Sequence, residues 1–423
     1  MPSIIIKFLT LVLSGALVFH QTTEQREPKT PAECLGAVRE LPQKRYEAAR
    51  VGGQKPDYAE IDKEKTELAK KYASQFSIET LDGKDLAALA RLFVEAKEPE
   101  LARKAVTRSL DIAPRRNGRR ADALVTAIEI LLAPPYAQES IDQAEAYMAG
   151  LDAMGSEFNS QKIAGHIRLG GYYRYADVDE KILLHERKVL ALAARISPAE
   201  RKTQGVRLAT SYTNIAEVLA GRGEIAEALA NLKQGLKELA DVPNAARWIK
   251  PAQKRYSLVG QKAAPIEAPR WFNAKEGTRS VELAGKVTLI QFTAHWCAPC
   301  RKSYPAMLRY HEKFSKEGLQ VLFVTQLYGF FEQRRPLNAE EEIAADRDYY
   351  LQQLGLPIKV AITPEGDRLN DQHYVVGGIP QIVVIDRQGI IRRIMTGWDP
   401  ANEAKLSQLI EKLLAERIAS TRP

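Results

Sequence analysis

The stretch Lys286–Pro305, KVTLIQFTAHWCAPCRKSYP, decides the fold of this chain. Its apolar start predicts a buried β-strand that leads directly into Cys297-Ala-Pro-Cys300, where a helical pattern begins. Two cysteines three residues apart at a helix start lie within disulfide reach. The N–H groups and the positive dipole end of a helix N-terminus lower the pKa of a thiol towards neutrality. The pattern therefore predicts a dithiol redox site, with Cys297 as the exposed nucleophile and Cys300 as the resolving thiol.

Two cysteines at this spacing also occur as one half of a zinc site, which usually has four ligands. The chain has one other cysteine, Cys34, far upstream, and its six histidines supply no second pair of ligands with short spacing. The number and spacing of cysteines and histidines therefore argue against a four-ligand zinc site at this motif. We predict a site without metal and without a cofactor.

Residues from about Leu258 to Ile418 resemble the thioredoxin fold in its TlpA-like version. Residues 285–305 are similar to the family segment in which an apolar strand is followed by Trp-Cys-x-Pro-Cys-Arg. Residues 374–398, YVVGGIPQIVVIDRQGIIRRIMTGW, are similar to its second signature, a Gly-x-Pro before a buried strand that ends in Ile-Asp.

The resemblance also implies roles for individual residues. Pro380 is implied to be a cis-proline that packs opposite the dithiol, and the backbone of Ile379 is implied to pair with the bound substrate strand. Trp296 and Pro299 belong to the first signature and complete the expected substrate-binding set.

The sequence departs from the family pattern at three positions around the motif. Gln291 stands where thioredoxins have a buried Asp, Ser303 where many relatives have Glu, and Thr293 where an aromatic residue is common. Proton transfer to Cys300 therefore lacks an obvious carboxylate. We predict that His295 is a solvent-facing loop residue; the alternative is a hydrogen bond or a charge near the thiolate.

The rest of the chain has room for one or two further domains at 423 residues. The net charge of +8 arises from 61 basic and 53 acidic residues spread along the chain, which gives no case for nucleic acid. Residues 1–25 hold an apolar core too short for a spanning helix, and they predict a signal peptide or an uncleaved N-terminal anchor. We therefore expect an exported protein in the periplasm or cell envelope.

The segment before the redox domain is helical by pattern. Residues 26–80 are predicted to be a charged N-terminal helical region, and residues 81–242 are predicted to be helical repeats. Residues 85–114 and 212–240 resemble tetratricopeptide repeats. Two weaker hairpins fit at 121–153 and 160–196, so a solenoid of about four hairpins is predicted. The alternative is an irregular helical domain with two coincidental matches.

Residues 243–257 are predicted to be a linker, and residues 258–423 the redox domain. Short strands around 270–272 and 279–283 are expected to pair, and further strands are expected at 319–325, 381–386 and 390–396. An insertion of about fifty residues after Thr325 contains a predicted helix, 339–354. It also contains the aromatic cluster Leu327–Phe331, for which burial is favoured over partner binding. The predicted fold class is thus multidomain, with an N-terminal all-α helical-repeat domain and a C-terminal α/β thioredoxin fold.

These features predict an exported thiol–disulfide oxidoreductase. Its expected partners are protein disulfides or dithiols as substrates, a redox partner that resets the site, and a protein or peptide ligand on the repeats. The redox domain is expected to work on generic disulfides without the repeats. Two alternatives stay open: a peroxidase, whose usual cysteine context is absent, and a scaffold or redox sensor in which the dithiol only modulates binding.

Overall fold

A computed structural model describes residues 29–52, 56–114, 117–134, 137–366, 370–398, 400 and 402–416. The predicted signal or anchor segment, residues 1–25, lies outside this described part. Within the described residues, no helix combines the length and apolar character needed to cross a bilayer. The all-α N-terminal part and the α/β C-terminal part of the predicted fold class are both confirmed.

The N-terminal part consists of helices that pack mainly as consecutive antiparallel pairs. They are α1 (Pro31–Val51), α2 (Tyr58–Ala73), α3 (Gly83–Glu95), α4 (Pro99–Ile112), α5 (Gly118–Leu131), α6 (Gln138–Asp152), α7 (Asn159–Tyr175), α8 (Asp179–Ala193), the short α9 (Pro198–Thr203), α10 (Gly205–Gly221) and α11 (Ile225–Glu238). The pairs α3/α4, α5/α6, α7/α8 and α10/α11 match the four predicted hairpins. Their first helices begin at residues 83, 118, 159 and 205, so the interval between pairs lengthens along the chain.

Small residues let the paired helices approach closely. Gly235 of α11 lies against the ring of Tyr212 on α10, where a Cβ atom would come within 2.6 Å of the ring. The hydroxyl of Tyr212 donates a hydrogen bond to Glu238 at 2.6 Å. One hydrophobic core runs through the whole helical part, from α1 to the end of the segment predicted as a linker.

That segment is a helix, α12 (Ala245–Tyr256), and the prediction of a linker over 243–257 missed it. Ala245, Ile249, Ala252 and Tyr256 are buried at helical spacing against α10 and α11. Pro251 lies inside the helix, and basic residues separate the buried positions, which hid the periodicity.

The C-terminal part is built on a six-stranded sheet with the order β2-β6-β5-β4-β7-β8. The strands are β1 (Ile266–Glu267), β2 (Arg270–Phe272), β3 (Ser280–Val281), β4 (Val287–Phe292), β5 (Leu319–Gln326), β6 (Lys359–Thr363), β7 (Gln381–Ile385) and β8 (Ile391–Thr396). Strands β4, β5 and β6 are parallel, whereas β2, β7 and β8 run antiparallel to their neighbours.

Two details of the sheet differ from the prediction. The strands near 270 and 280 do not pair with each other, because β3 pairs with β1 and β2 pairs with β6. Strand β6 lies in the predicted insertion and was missed, because its apolar run Val360–Ile362 is too short to show the periodicity of a strand.

In the described residues, three α-helices accompany the sheet: α13 (Ala298–Phe314), α14 (Ala339–Arg347) and α15 (Asn402–Ala415). A π-helical turn, Asp348–Gln353, extends α14, so together they cover the predicted 339–354 helix. Alternate residues of the central strands face opposite sides. Leu289 and Phe323 pack in the core with α13 and α15, whereas Ile290 and Leu322 pack against the segment around residues 258–268.

A buried histidine pair lies inside the helical part. His185 on α8 and His166 on α7 approach at 3.0 Å between their Nδ1 atoms, and His166 Nε2 lies 3.1 Å from Asp152. Burial lowers the pKa of His185 to about 4 and also lowers the pKa of His166. Both rings are therefore neutral at pH 7.

Acid is expected to destabilise the helical part because of this pair. The unfolded chain takes up protons near pH 6.5, whereas the folded His185 does so only near pH 4. Stability is therefore full above about pH 6.5 and falls as the pH drops towards 4, by roughly 3 kcal/mol for His185 alone. Urea unfolding between pH 7.5 and 4.5 measures this loss. A His185→Gln variant should show a shallower pH dependence, and an unchanged dependence would contradict the assignment.

Cys34 is reduced and fully buried in α1, beside Val38 in the helical core. Burial also raises the pKa of its thiol. A buried thiol with a raised pKa is a poor nucleophile. We therefore expect Cys34→Ala to leave turnover unchanged and to give the same bands as the parent on a non-reducing gel. A dimer band that the substitution removes would show that Cys34 reaches the surface.

Candidate active site

The two cysteines of the motif meet at the start of α13. Cys297 is the N-cap residue, and its Sγ accepts a hydrogen bond from the backbone N–H of Cys300 at 3.2 Å. The two sulfur atoms are joined in a disulfide, with Cα atoms 5.2 Å apart. In the reduced protein, the same helix N-terminus would stabilise a thiolate on Cys297.

The sulfur of Cys297 is covered, although the sequence predicts an exposed one. The Cys297 side chain is 2% exposed. Its Sγ lies 3.7 Å from the carbonyl oxygen of Ile379, in the loop that leads into β7. The Ile379–Pro380 peptide bond is cis, the isomer that the resemblance implies, and Pro380 is buried. The cover comes from a loop more than eighty residues away along the chain, which the local motif cannot reveal.

Trp296 and Pro299 form the exposed rim of the site. The Trp296 side chain is 47% exposed, and its ring meets Tyr328 edge-on at a centroid distance of 5.4 Å. Pro299 is exposed in the first turn of α13. An apolar rim beside a covered disulfide is a surface that a polypeptide could contact. The structure thus brings together all six residues that the sequence singles out.

The positions that depart from the family pattern carry neutral polar groups. The hydroxyl of Ser303 lies 3.0 Å from Gln291 Oε1 and 2.7 Å from the carbonyl oxygen of Cys300. The hydroxyls of Thr293 and Tyr304 lie 2.7 Å apart. Gln291 and Ser303 therefore put an amide and a hydroxyl beneath Cys300, where thioredoxins have a carboxylate.

His295 is buried, with 4% exposure, so the prediction of a solvent-facing residue is wrong. The aromatic cluster of the inserted segment surrounds its ring. Phe331, Phe330 and Tyr328 have ring centroids 4.6, 5.3 and 5.9 Å from the imidazole. The favoured expectation that this cluster packs, rather than binds a partner, agrees with these contacts.

Two buried carboxylates of α14 complete the surroundings of His295. Asp346 Oδ1 lies 3.4 Å from His295 Nδ1, and Asp346 is fully buried. Glu342 is also fully buried and accepts the backbone N–H groups of Tyr328 and Gly329 at 2.8 and 2.7 Å. Burial raises the pKa of both carboxyl groups. Sequence reasoning missed both, because acidic residues in a charged helix read as a solvated face.

The C-terminal part of the chain is similar to known proteins. Residues 259–394 match the AhpC/TSA family model. The chain is 27% identical to thiol-disulfide oxidoreductase ResA of Geobacillus thermodenitrificans over 119 residues, which is 28% of this chain and 59% of that protein. It is 25% identical to thiol:disulfide interchange protein DsbE of Pseudomonas aeruginosa over 175 residues, 40% of this chain and 84% of that protein.

The chain is also similar to a plant nucleoredoxin and to a protein of known structure. The chain is 29% identical to probable nucleoredoxin 1 of Arabidopsis thaliana, over 33% of this chain and 21% of that protein. A crystal structure of a Chlorobium tepidum protein assigned as thiol:disulfide interchange protein DsbE is 30% identical; the match covers 37% of this chain and 98% of that one, with a TM-score of 0.30. The chain thus spans about a fifth of the Arabidopsis nucleoredoxin and about three fifths of the Geobacillus thermodenitrificans ResA.

Proposed function

We propose that the chain exchanges disulfides with protein partners through Cys297 and Cys300, a proposal supported by the resemblance of its C-terminal part to the thioredoxin-fold, TlpA-like thiol–disulfide oxidoreductases. The observation that carries the proposal is the disulfide between these residues at a helix N-terminus, under the Ile379–Pro380 loop. This arrangement supports reversible exchange, because the first cysteine can leave as a stabilised thiolate.

In the reductive direction, the thiolate of Cys297 attacks one sulfur of a partner disulfide. A mixed disulfide forms, and the other partner sulfur leaves as a thiolate. The Cys300 thiolate then attacks Cys297 Sγ, which releases the second partner thiolate and closes the Cys297–Cys300 disulfide. The partner gains two electrons, and the two thiolates take up two protons from solvent. The reverse sequence oxidises a partner dithiol.

The proton of Cys300 has to leave without help from a carboxylate beneath it. Gln291 and Ser303 occupy that position, and neither side chain titrates near neutral pH. We propose that solvent takes this proton when the partner occupies the site.

Insulin reduction with dithiothreitol tests the proposal directly. We expect turnover that a preparation alkylated at the dithiol lacks. Peroxide consumption without insulin turnover would instead favour the peroxidase, and neither activity would favour the scaffold or redox sensor. The reduction potential of the Cys297–Cys300 pair, measured against glutathione buffers, then indicates the direction of exchange.

We further propose that the helical part selects the partner. A groove of 630 Å³ runs along α1, α3, α5 and α7. Four basic side chains line it, against one acidic one: Arg39, Lys84, Arg91, Arg119 and Asp122. Two of the arginines also pair with glutamates, Arg39 with Glu95 and Arg91 with Glu129. Lys84 and Arg119, against Asp122, leave a small excess of positive charge, which favours an acidic peptide over a basic one.

A charge-reversed groove tests partner selection. In a Cys300→Ser background, Lys84→Glu with Arg119→Glu should reduce the capture of natural partners as mixed disulfides. The same pair of substitutions with Cys300 intact should leave insulin reduction unchanged. Lys237→Glu, on α11 and away from the groove, is the matched control. Undiminished capture by the double variant would refute a role for the groove.

We also propose that the protein is exported to the periplasm or cell envelope, on the strength of the apolar run within residues 1–25 and of a disulfide-forming site that suits an oxidising compartment. Cell fractionation with N-terminal sequencing of the mature protein tests this, and recovery of an uncleaved cytosolic chain would refute it.

A further inference from the structure

The cluster of His295, Glu342 and Asp346 contains polar atoms for which the described residues offer no ordinary hydrogen bond. Within the described part of the chain, both ring nitrogens of His295 and both carboxylate oxygens of Asp346 are buried without a hydrogen-bond partner. The two side chains are 2% and 0% exposed. A buried polar atom left without a partner destabilises the folded protein, because it has lost its hydrogen bonds to water. Four of them in one place require an explanation.

A proton alone explains this poorly. One proton shared between His295 Nδ1 and Asp346 Oδ1 across 3.4 Å would satisfy two of the four atoms at most. Glu342 would still bring a second carboxylate into the same buried space, because ligand atoms of all three residues lie within 4.8 Å of one another. When both are ionised, two carboxylates at such distances repel each other unless a positive charge lies between them.

A bound cation would coordinate one ligand atom of each residue and neutralise both carboxylates, and we propose that His295, Glu342 and Asp346 bind a divalent metal ion of the zinc type. One nitrogen and two carboxylate oxygens are ligands that zinc accepts. Zinc bonds of about 2.0–2.2 Å at tetrahedral angles place neighbouring ligand atoms roughly 3.3–3.6 Å apart. The separation of 3.4 Å between His295 Nδ1 and Asp346 Oδ1 falls in that range.

The surroundings hold these ligands in place. Each oxygen of Glu342 accepts one backbone N–H group, from Tyr328 and Gly329, and keeps a second lone pair for a metal. The backbone carbonyl of His295 accepts a hydrogen bond from Arg301 at 3.1 Å. Hydrogen bonds of this kind orient the ligands of metal sites. The aromatic rings around His295 separate the cluster from bulk solvent and so strengthen the attraction between the carboxylates and a cation.

The position of the site gives the metal a role outside the exchange steps. His295 lies two residues before Cys297, whereas both carboxylates lie on α14 of the inserted segment. A metal there would fasten the inserted helix to the loop that carries the dithiol. The fourth coordination position would be left to water or another exchangeable ligand.

The test uses full-length protein that carries Cys34→Ala and is fully oxidised, so that no thiol can bind metal. After chelation and dialysis, the protein is titrated with Zn²⁺ by calorimetry and with Co²⁺ by visible absorption. We expect one equivalent of each metal, an increase in Tm with Zn²⁺, and Co²⁺ bands typical of nitrogen and oxygen ligands.

Asp346→Asn and His295→Gln should weaken Zn²⁺ binding at least tenfold and should remove the increase in Tm. Glu340→Gln, exposed on the same helix, is the control and should bind as the parent does. Substoichiometric binding by the parent would overturn the proposal. So would unchanged affinity in Asp346→Asn, since the metal would then lie elsewhere. An Asp346→Asn protein that is more stable than the metal-free parent, with no binding by either, would identify a protonated carboxyl group instead.

Discussion

Replacing Cys297 by serine is expected to lower insulin reduction to the background rate of dithiothreitol alone. A hydroxyl at this position is not ionised near neutral pH and cannot attack a disulfide. Replacing Cys300 by serine should have a different result, because the nucleophile survives without its resolving thiol. The mixed disulfide then persists, and non-reducing gels should show partners attached to Cys300→Ser but not to the double variant with Cys297→Ser.

Which cysteine is the nucleophile and which the resolving thiol can be checked separately. In reduced protein, a limiting amount of iodoacetamide should alkylate Cys297 first, because its sulfur lies at the helix N-terminus, which stabilises the thiolate. Peptide mapping locates the label. Preferential labelling of Cys300, or a trapped complex from Cys297→Ser alone, would reverse the assignment.

Arg255→Ala is expected to slow the reduction of generic disulfides, although Arg255 lies in helix α12 and outside the sheet domain. Its Nε donates to the carbonyl oxygen of Val375 at 3.2 Å, and its Nη1 donates to Thr396 Oγ1 at 3.1 Å. Val375 has a φ of 49°, an unfavourable value for a β-branched residue. Arg255 thus helps to hold a strained segment four residues before Ile379. We expect kcat/KM to fall about tenfold, the effect of one hydrogen bond to a charged group.

Lys254→Ala is the matched control, because Lys254 is the exposed neighbour of Arg255 on the same helix. It should retain the parent's kcat/KM.

The rate of Arg255→Ala also tests the expectation from the sequence that the redox domain works without the helices. A fragment that starts at Leu258 lacks Arg255, so it should be slower than the full chain by about the same factor. Equal rates for Arg255→Ala and the parent would restore the picture of two independent modules.

Local patterns were enough to predict the centre of the redox domain. The cis isomer of the Ile379–Pro380 bond was implied by the family resemblance alone. The apolar run before the motif forms β4, and the helix starts at Cys297. These features depend on residues that are adjacent in the sequence, so a short motif contains the necessary information. The four helical hairpins were predictable for the same reason, since each pair has its own apolar spacing.

Features that depend on distant contacts were not predictable. His295 is buried because Phe331 and Asp346, from an inserted segment, close over it. Its own neighbours in the sequence carry no sign of this. The cover over Cys297 likewise comes from the loop at Ile379. By contrast, α12 could have been found, because Ile249, Ala252 and Tyr256 keep helical spacing on either side of Pro251.

The packing of the helical part against the sheet has a consequence for solubility. Strand β8 is the last strand of its sheet, and a strand in that position can recruit a strand from another molecule and start aggregation. Here the backbone of residues 260–263 bonds to its first part, and α10 packs beside it, with Gly221 close to the guanidinium of Arg393. The helices therefore cover this edge strand and hinder strand-to-strand self-association. Removing them would expose β8 and favour aggregation.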